Sequence, residues 1–215
     1  MHLPFATSYT LYIFCLLTSS VVALQSISGI SRRQTRLPCA SFTNCEDYVA
    51  FLSTVSTLPR GFLVGATRFQ FISEVTGKML PMNLTLISTE KPTRSFAALF
   101  TSNEFPGGPI IVGRDRLKNS EYLQTVVINN KISNVCPSGV TDRGSGDSEH
   151  LCSAVATELK LASSSYVFPS STGIIGWRLP ISAMTKEIGT AVGSLQSRSI
   201  LPAALGITTT DRYVE

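Results

Sequence analysis

Between Arg68 and Asn129 the chain carries five short runs rich in β-branched and aromatic residues: RFQFISEV (68–75), NLTLIS (83–88), RSFAALF (94–100), PIIVG (109–113) and TVVIN (125–129). Runs of this length and composition suit the pleated, half-buried surface of a sheet. Helical spacing brackets them. Asn44 is placed to cap NCEDYVAFLSTVS, in which Tyr48, Val49, Leu52 and Val55 form one stripe. Further on, an Asp147/Ser148 cap leads Leu151, Val155 and Leu159, and Ser182 leads Met184, Ile188, Val192 and Leu195. Strands first and helices later predict an α+β layered domain over residues 58–215, without repeats or an internal linker.

The segment before that domain reads differently. The first 45 residues hold no Asp or Glu, and TLYIFCLLTSSVVAL (10–24) is an apolar run with a Val21-Val22-Ala23 exit. This pattern predicts a secretory signal peptide over residues 1–23, followed by a pro-segment or linker with the short helix over 24–57. A mitochondrial transit peptide is the alternative, but it would interleave arginines, and Arg32, Arg33 and Arg36 all follow the run. The run is also short of the ~20 residues that a membrane span needs, so no membrane association is expected once the leader is removed. Secretion would leave four cysteines, Cys39, Cys45, Cys136 and Cys152, an even number suited to disulfides. Proximity in sequence favours Cys39 with Cys45 and Cys136 with Cys152. Asn83-Leu84-Thr85 is the single N-x-[ST] match and the candidate glycan acceptor.

Several chemistries are excluded early. The formal charge is +4, with basic residues scattered rather than clustered, so nucleic acid is not an expected partner. Beyond the leader the one histidine is His150, which excludes a multi-histidine metal site. There is no G-x-S-x-G elbow, phosphate loop or dinucleotide fingerprint. No metal and no cofactor is expected.

Five stretches, taken in order, resemble the N-terminal half of the ornithine acetyltransferase (glutamate N-acetyltransferase) family, whose members cleave themselves to expose a threonine nucleophile. LPRGF (58–62) resembles Pro-Lys-Gly-Phe, and ALFTSNEFPGGPIIVGRDRL (98–117) resembles a Phe-Thr-x-Asn segment leading to an apolar strand. VVINNKISNVCPSG (126–139) resembles the loop Val-Val-Asn-Ser-Gly-Asn-Ala-Asn-Ala-Cys-Thr-Gly. SSTGIIGWRLP (170–180) resembles Ser-Thr-Gly-Val-Ile-Gly, and AALGITTTDRY (203–213) resembles Ala-Ile-Met-Thr-Thr-Asp-Thr. The resemblance implies that Thr172 and Gly173 form an oxyanion hole and that Thr210, or its neighbour Thr209, contacts substrate. It also implies a small N-acyl amino acid substrate, and a C-terminal β-chain-like half that bears the nucleophilic threonine and joins this chain in a hetero-oligomer.

The departures are specific. Asn130, Lys131 and Ile132 stand where the family has Ser-Gly-Asn, and Trp177 and Arg178 stand where it has Glu-Pro. Trp177 either reshapes an acyl pocket or caps the core. The segment ending Asn-Ala-Thr-Met, which carries the cleavage point, does not occur in these 215 residues. Two other readings stay open: an amidohydrolase of the related self-processing aminopeptidase kind, and a truncated homologue without catalytic activity.

Overall fold

A computed structural model describes residues 42–209 and the pair 13–14. Cys39, Thr210 and the leader apart from 13–14 lie outside the described residues, and so does the side chain of Cys45. In chain order the elements are β1 (Ile13–Phe14), α1 (Cys45–Val55), β2 (Phe62–Ile72), β3 (Met79–Thr93), β4 (Ala97–Ala98) and α2 (Gly108–Asn119). Then follow β5 (Leu123–Asn129), α3 (Ser145–Glu158), β6 (Val167–Ser171), α4 (Ile181–Gly193) and α5 (Leu201–Ile207).

Four strands form one sheet in the order β2-β3-β5-β6. The first two pairings are antiparallel and β5 with β6 is parallel, so α3 lies on the crossover between the last two. The short β1 pairs with β4, apart from this sheet. Alternation along the strands sends Phe69, Phe71, Met82, Leu84, Leu86 and Val127 to one face, where Leu151 and Val155 of α3 and Met184 and Ile188 of α4 cover them. The other face is covered in two patches: Phe96 and Phe100 lie with Val126, Ile128 and Phe168, and Ala203 of α5 lies with Val64 and Leu58. Each fully buried aliphatic or aromatic side chain contributes roughly 1.5–3 kcal/mol. Both sheet faces are therefore sealed, and the fold is α+β, as the pattern of runs predicts.

The structure departs from the sequence reading at four places. PIIVG, read as a strand, lies in α2. Gly107 starts that helix with an extended backbone and Pro109 sits in its first turn, a position where proline's missing N–H costs nothing. Pro109, Val112, Gly113 and Arg116 are buried, the three- and four-residue spacing of a helix, which a five-residue run is too short to display. In RSFAALF only Ala97–Ala98 is strand, while Phe96 and Phe100 act as a lid on the sheet. Helix α3 begins at Ser145, earlier than an Asp147/Ser148 cap would place it. Asp142 holds its start, accepting from the Gly144 N–H at 3.0 Å and the Gly146 N–H at 2.7 Å. Those two bonds hold the Asp142 carboxyl below the usual carboxylate range.

The fourth departure concerns the cysteines. Cys136 and Cys152 are both free thiols, so the expected disulfide between them is not formed. Cys152 lies on the buried face of α3, fully enclosed in the core, whereas Cys136 is exposed in the loop after β5. Burial pushes the Cys152 thiol up to about 12, against the opposing pull of the Arg116 guanidinium. A thiol held neutral and enclosed is unreactive. In the native chain a thiol reagent at neutral pH is accordingly expected to label Cys136 and to spare Cys152 until denaturant is added. Peptide mapping of the labelled protein checks this, and a Cys136–Cys152 bridge in the unreduced digest would contradict it.

Candidate active site

The parallel strands β5 and β6 finish side by side, with Asn129 opposite Ser171. Their pairing does not stop there. The Thr172 N–H donates to the Asn129 carbonyl at 3.0 Å, Ile174 to Lys131 at 2.9 Å and Gly176 to Val135 at 2.9 Å. In return the Ser133 N–H donates to Ile174 at 3.0 Å and the Ser138 N–H to Gly176 at 3.0 Å. Two loops thus run on as an irregular ladder beyond the carboxyl ends of the strands, the edge of an α/β sheet where ligands commonly bind.

Gly173 belongs to that ladder for a steric reason. Its φ is +129°, and a Cβ there would lie 2.2 Å from the carbonyl carbon of Lys131 and 2.7 Å from the Ile132 nitrogen. No residue with a side chain fits against that backbone. The Gly173 N–H and the half-buried Thr172 hydroxyl have no hydrogen-bond partner among the described residues, although the N–H groups on either side of Gly173 are both bonded. Two adjacent donors are therefore fixed and free. Ile174 and Ile175, 37% and 57% exposed, extend an apolar rim from them.

Three asparagines, to which the sequence reading gave no roles, hold this arrangement. Asn129 is fully buried; its Oδ1 accepts from the Ser171 hydroxyl at 2.6 Å, and its Nδ2 donates to the carbonyls of Ile132 at 2.8 Å and Asn130 at 3.1 Å. Asn130 accepts from the Asn83 N–H at 2.7 Å and donates to the Thr208 carbonyl at 2.8 Å. Asn134, also fully buried, donates to the Gly144 carbonyl at 2.8 Å and the Ser148 hydroxyl at 3.0 Å, joining the loop to the start of α3. An amide side chain both donates and accepts, so it can fasten strand ends whose backbone groups have lost their ladder partners. A cluster of asparagines directly after an apolar strand is the sequence signal that could have found them.

The other candidate residues fall as follows. Thr209 is exposed, and the Thr208 carbonyl before it is fastened by Asn130, so the segment after α5 abuts the corner against which Gly173 packs. Asn83 sits half-buried in mid-strand with its Nδ2 donating to the Gly206 carbonyl at 3.1 Å. The nitrogen a glycan would occupy is thus already engaged. Trp177 packs against the α3/α4 core, in keeping with the core-capping alternative. Its neighbour Arg178 forks onto Asp147, Nε to Oδ2 at 3.0 Å and Nη2 to Oδ1 at 3.1 Å, and the pairing raises the Arg178 pKa. His150 is exposed. A groove of about 650 Å³ lies between the β2–β3 hairpin and α4, with Arg178 and Asp147 in its wall, but neither Thr172 nor Gly173 lines it.

Comparison with known proteins places this architecture. The ArgJ family model matches residues 72–215. The arginine biosynthesis bifunctional protein ArgJ, mitochondrial, of Talaromyces marneffei is 32% identical over 167 residues, which cover 76% of this chain and 34% of that protein. The chain thus spans about a third of the length of that relative. Among solved structures, ArgJ from Bacillus halodurans superposes with a TM-score of 0.55 at 24% identity, covering 75% of this chain and 77% of its own. Ornithine acetyltransferase from Mycobacterium tuberculosis, solved in complex with ornithine, superposes at 0.60 and 24% identity, covering 74% and 81%. At that identity the superpositions establish a shared fold.

The asparagine network and the free donors differ in what their loss should do. Asn129→Ala strands the Ser171 hydroxyl and the Ile132 carbonyl, and is expected to lower the unfolding free energy by about 2 kcal/mol. Thr172→Ala removes a hydroxyl that holds nothing, and is expected to change it by under ~0.5 kcal/mol. Urea unfolding of the two variants measures the contrast, and equal losses would mean that the Thr172 hydroxyl is structural.

Proposed function

The chain belongs to the ArgJ family, and from that premise we propose that it is the oxyanion-hole half of an acyltransferase. In this reading a threonine hydroxyl, supplied by a C-terminal β-chain-like half, attacks the acyl carbonyl of an N-acyl amino acid. The carbonyl oxygen becomes negative, and the Gly173 N–H and the Thr172 hydroxyl donate to it. Collapse of the tetrahedral intermediate expels the amine, which takes up the proton given up by the threonine hydroxyl, and leaves an acyl-threonine ester, which an amine acceptor then attacks at the same carbonyl. The donor is N-acetylornithine-like and the acceptor glutamate-like. Thr210, or its neighbour Thr209, contacts the substrate.

One observation carries the proposal: two neighbouring donors are held by the ladder with no partner among the described residues. Preorganised donors of this kind stabilise a developing oxyanion because they need no reorganisation as charge appears, and removing one costs about 2.7–4 kcal/mol of the barrier. Hydrolysis by a self-processing amidohydrolase would use the same hole with water as acceptor, so product analysis in the presence of an amine separates the two. For location we propose the mitochondrion, supported by the names of the fungal relatives and by the free thiols of Cys136 and Cys152. The uninterrupted apolar run 10–24 is the feature that favours export instead. A fluorescent fusion of residues 1–41 decides between the two.

In an assembly of this chain with a nucleophile-bearing half, Thr172→Ala is expected to lower kcat for acetyl transfer by about 10²-fold or more and to leave assembly intact. Steady-state kinetics of the wild-type and variant assemblies provide the check. Unchanged turnover would show that the turn takes no part in catalysis, and an assembly with no acyl-transfer activity at all would refute the proposal.

A further inference from the structure

The four-stranded sheet has two outer edges, and they are finished differently. At one, β6 is five residues long with Pro169 at its centre, which removes a donor from the row a further strand would use. At the other, β2 runs eleven residues without proline, and its register with β3 is unbroken from Phe62 to Ile72. Backbone groups alternate along an antiparallel strand, so every second residue of β2 presents its N–H and C=O outward. Val64 and Ala66 mark that set. Val64 exchanges bonds with Gln196 at 2.8 Å and 2.9 Å, and the Ala66 N–H donates to the Ser194 hydroxyl at 2.9 Å. The next members, Arg68, Gln70 and Ile72, have no backbone partner on that side among the described residues.

The groove of about 650 Å³ lies along those open rungs, with Gln70 and Ile72 in one wall and Leu179, Pro180, Ile181 and Ala183, at the start of α4, in the other. Beyond it the hairpin end is apolar and uncovered, with Ile72 65%, Val75 60% and Met79 62% exposed. We propose that this edge takes a strand from the nucleophile-bearing C-terminal half, which pairs with Arg68, Gln70 and Ile72 and turns alternate apolar side chains into the groove. The proposal rests on the two-part assembly put forward above. Space and length select the occupant. Helix α4 lies directly on β2, because a Cβ on Gly65 would collide with the Ala191 carbonyl oxygen, and Ser194 bonds to the edge itself. Two copies joined edge to edge would set two such helices about one strand spacing, ~4.8 Å, apart, where packed helices need about 8–10 Å. A single extended segment meets no such obstacle. The matched region is 34% of the Talaromyces marneffei protein, so a relative of that length has ample further chain to supply one.

Amide hydrogen exchange of the full chain, alone and joined to the nucleophile-bearing half, tests this. In the chain alone the Arg68, Gln70 and Ile72 amides are expected to exchange freely, while those of Phe69 and Phe71, bonded to β3, are protected. Assembly is expected to slow exchange at the first three by about tenfold or more. Gln70→Pro costs no bond to β3, because that N–H points outward, and is expected to weaken association by about tenfold or more. Gln70→Ala keeps the N–H and is expected to leave association unchanged. The proposal is overturned if the two parts do not associate, if the three amides stay unprotected in the assembly, or if a second copy already protects them in the chain alone. The acyl-site reading fails separately: an assembly that protects the edge but transfers no acyl group refutes that reading and leaves the strand addition standing.

Discussion

Asn129 stands on the last rung shared by two parallel strands, and the amide it carries decides what happens beyond them. Parallel strands end with their carboxyl-terminal backbone groups unpaired, a costly condition in a buried setting. Here a single side chain takes the Ser171 hydroxyl on one strand and two loop carbonyls on the other, at 2.6 to 3.1 Å. The two loops are bound to each other before either reaches solvent. Without that seam the Ile174–Lys131 and Gly176–Val135 bonds would have no fixed starting point, and the donors at residues 172 and 173 would have no defined direction.

The remainder of the molecule supports the seam from both sides. Helices α3 and α4 cover one sheet face, and the same α3 receives Asn134 through the Ser148 hydroxyl. On the other face α5 presses on the sheet at Gly206, where a Cβ would lie 2.2 Å from the Thr85 hydroxyl. That close approach lets Asn83 and Asn130 fasten Gly206 and Thr208. A buried polar network of this kind is stabilising because nearly all its members are satisfied; breaking one leaves several others without partners. Rigidity at the turn is thereby built from side-chain amides rather than from a longer sheet.

Periodicity carried the fold class, and the reasons for its failures are local. Strands β2, β3 and β5 were legible because β-branched and aromatic residues cluster in runs of strand length, and α3 and α4 because Leu151, Val155, Met184 and Ile188 keep helical spacing. PIIVG was misread because β-branched residues, which favour strands, were outweighed by Pro109 in the first turn and by a buried stripe that extends to Arg116. Counting cysteines failed because parity says nothing about direction: Cys152 turns into the core and Cys136 outward. At the site, the Ser-Thr-Gly stretch was legible through its resemblance. The asparagines were legible only as a cluster after an apolar strand; what makes them decisive is the parallel pairing of β5 with β6, a long-range contact.

The central claim is that the Thr172 hydroxyl and the Gly173 N–H receive the oxygen of an acyl group. A structure of the acyl-enzyme, trapped in an assembly with the nucleophile-bearing half, tests it most directly. The account predicts the acyl carbonyl oxygen within about 2.7–3.1 Å of both Thr172 Oγ1 and Gly173 N, with the ladder from Asn129 to Gly176 unchanged. An acyl oxygen directed away from both atoms, or held by donors from other residues, would contradict it.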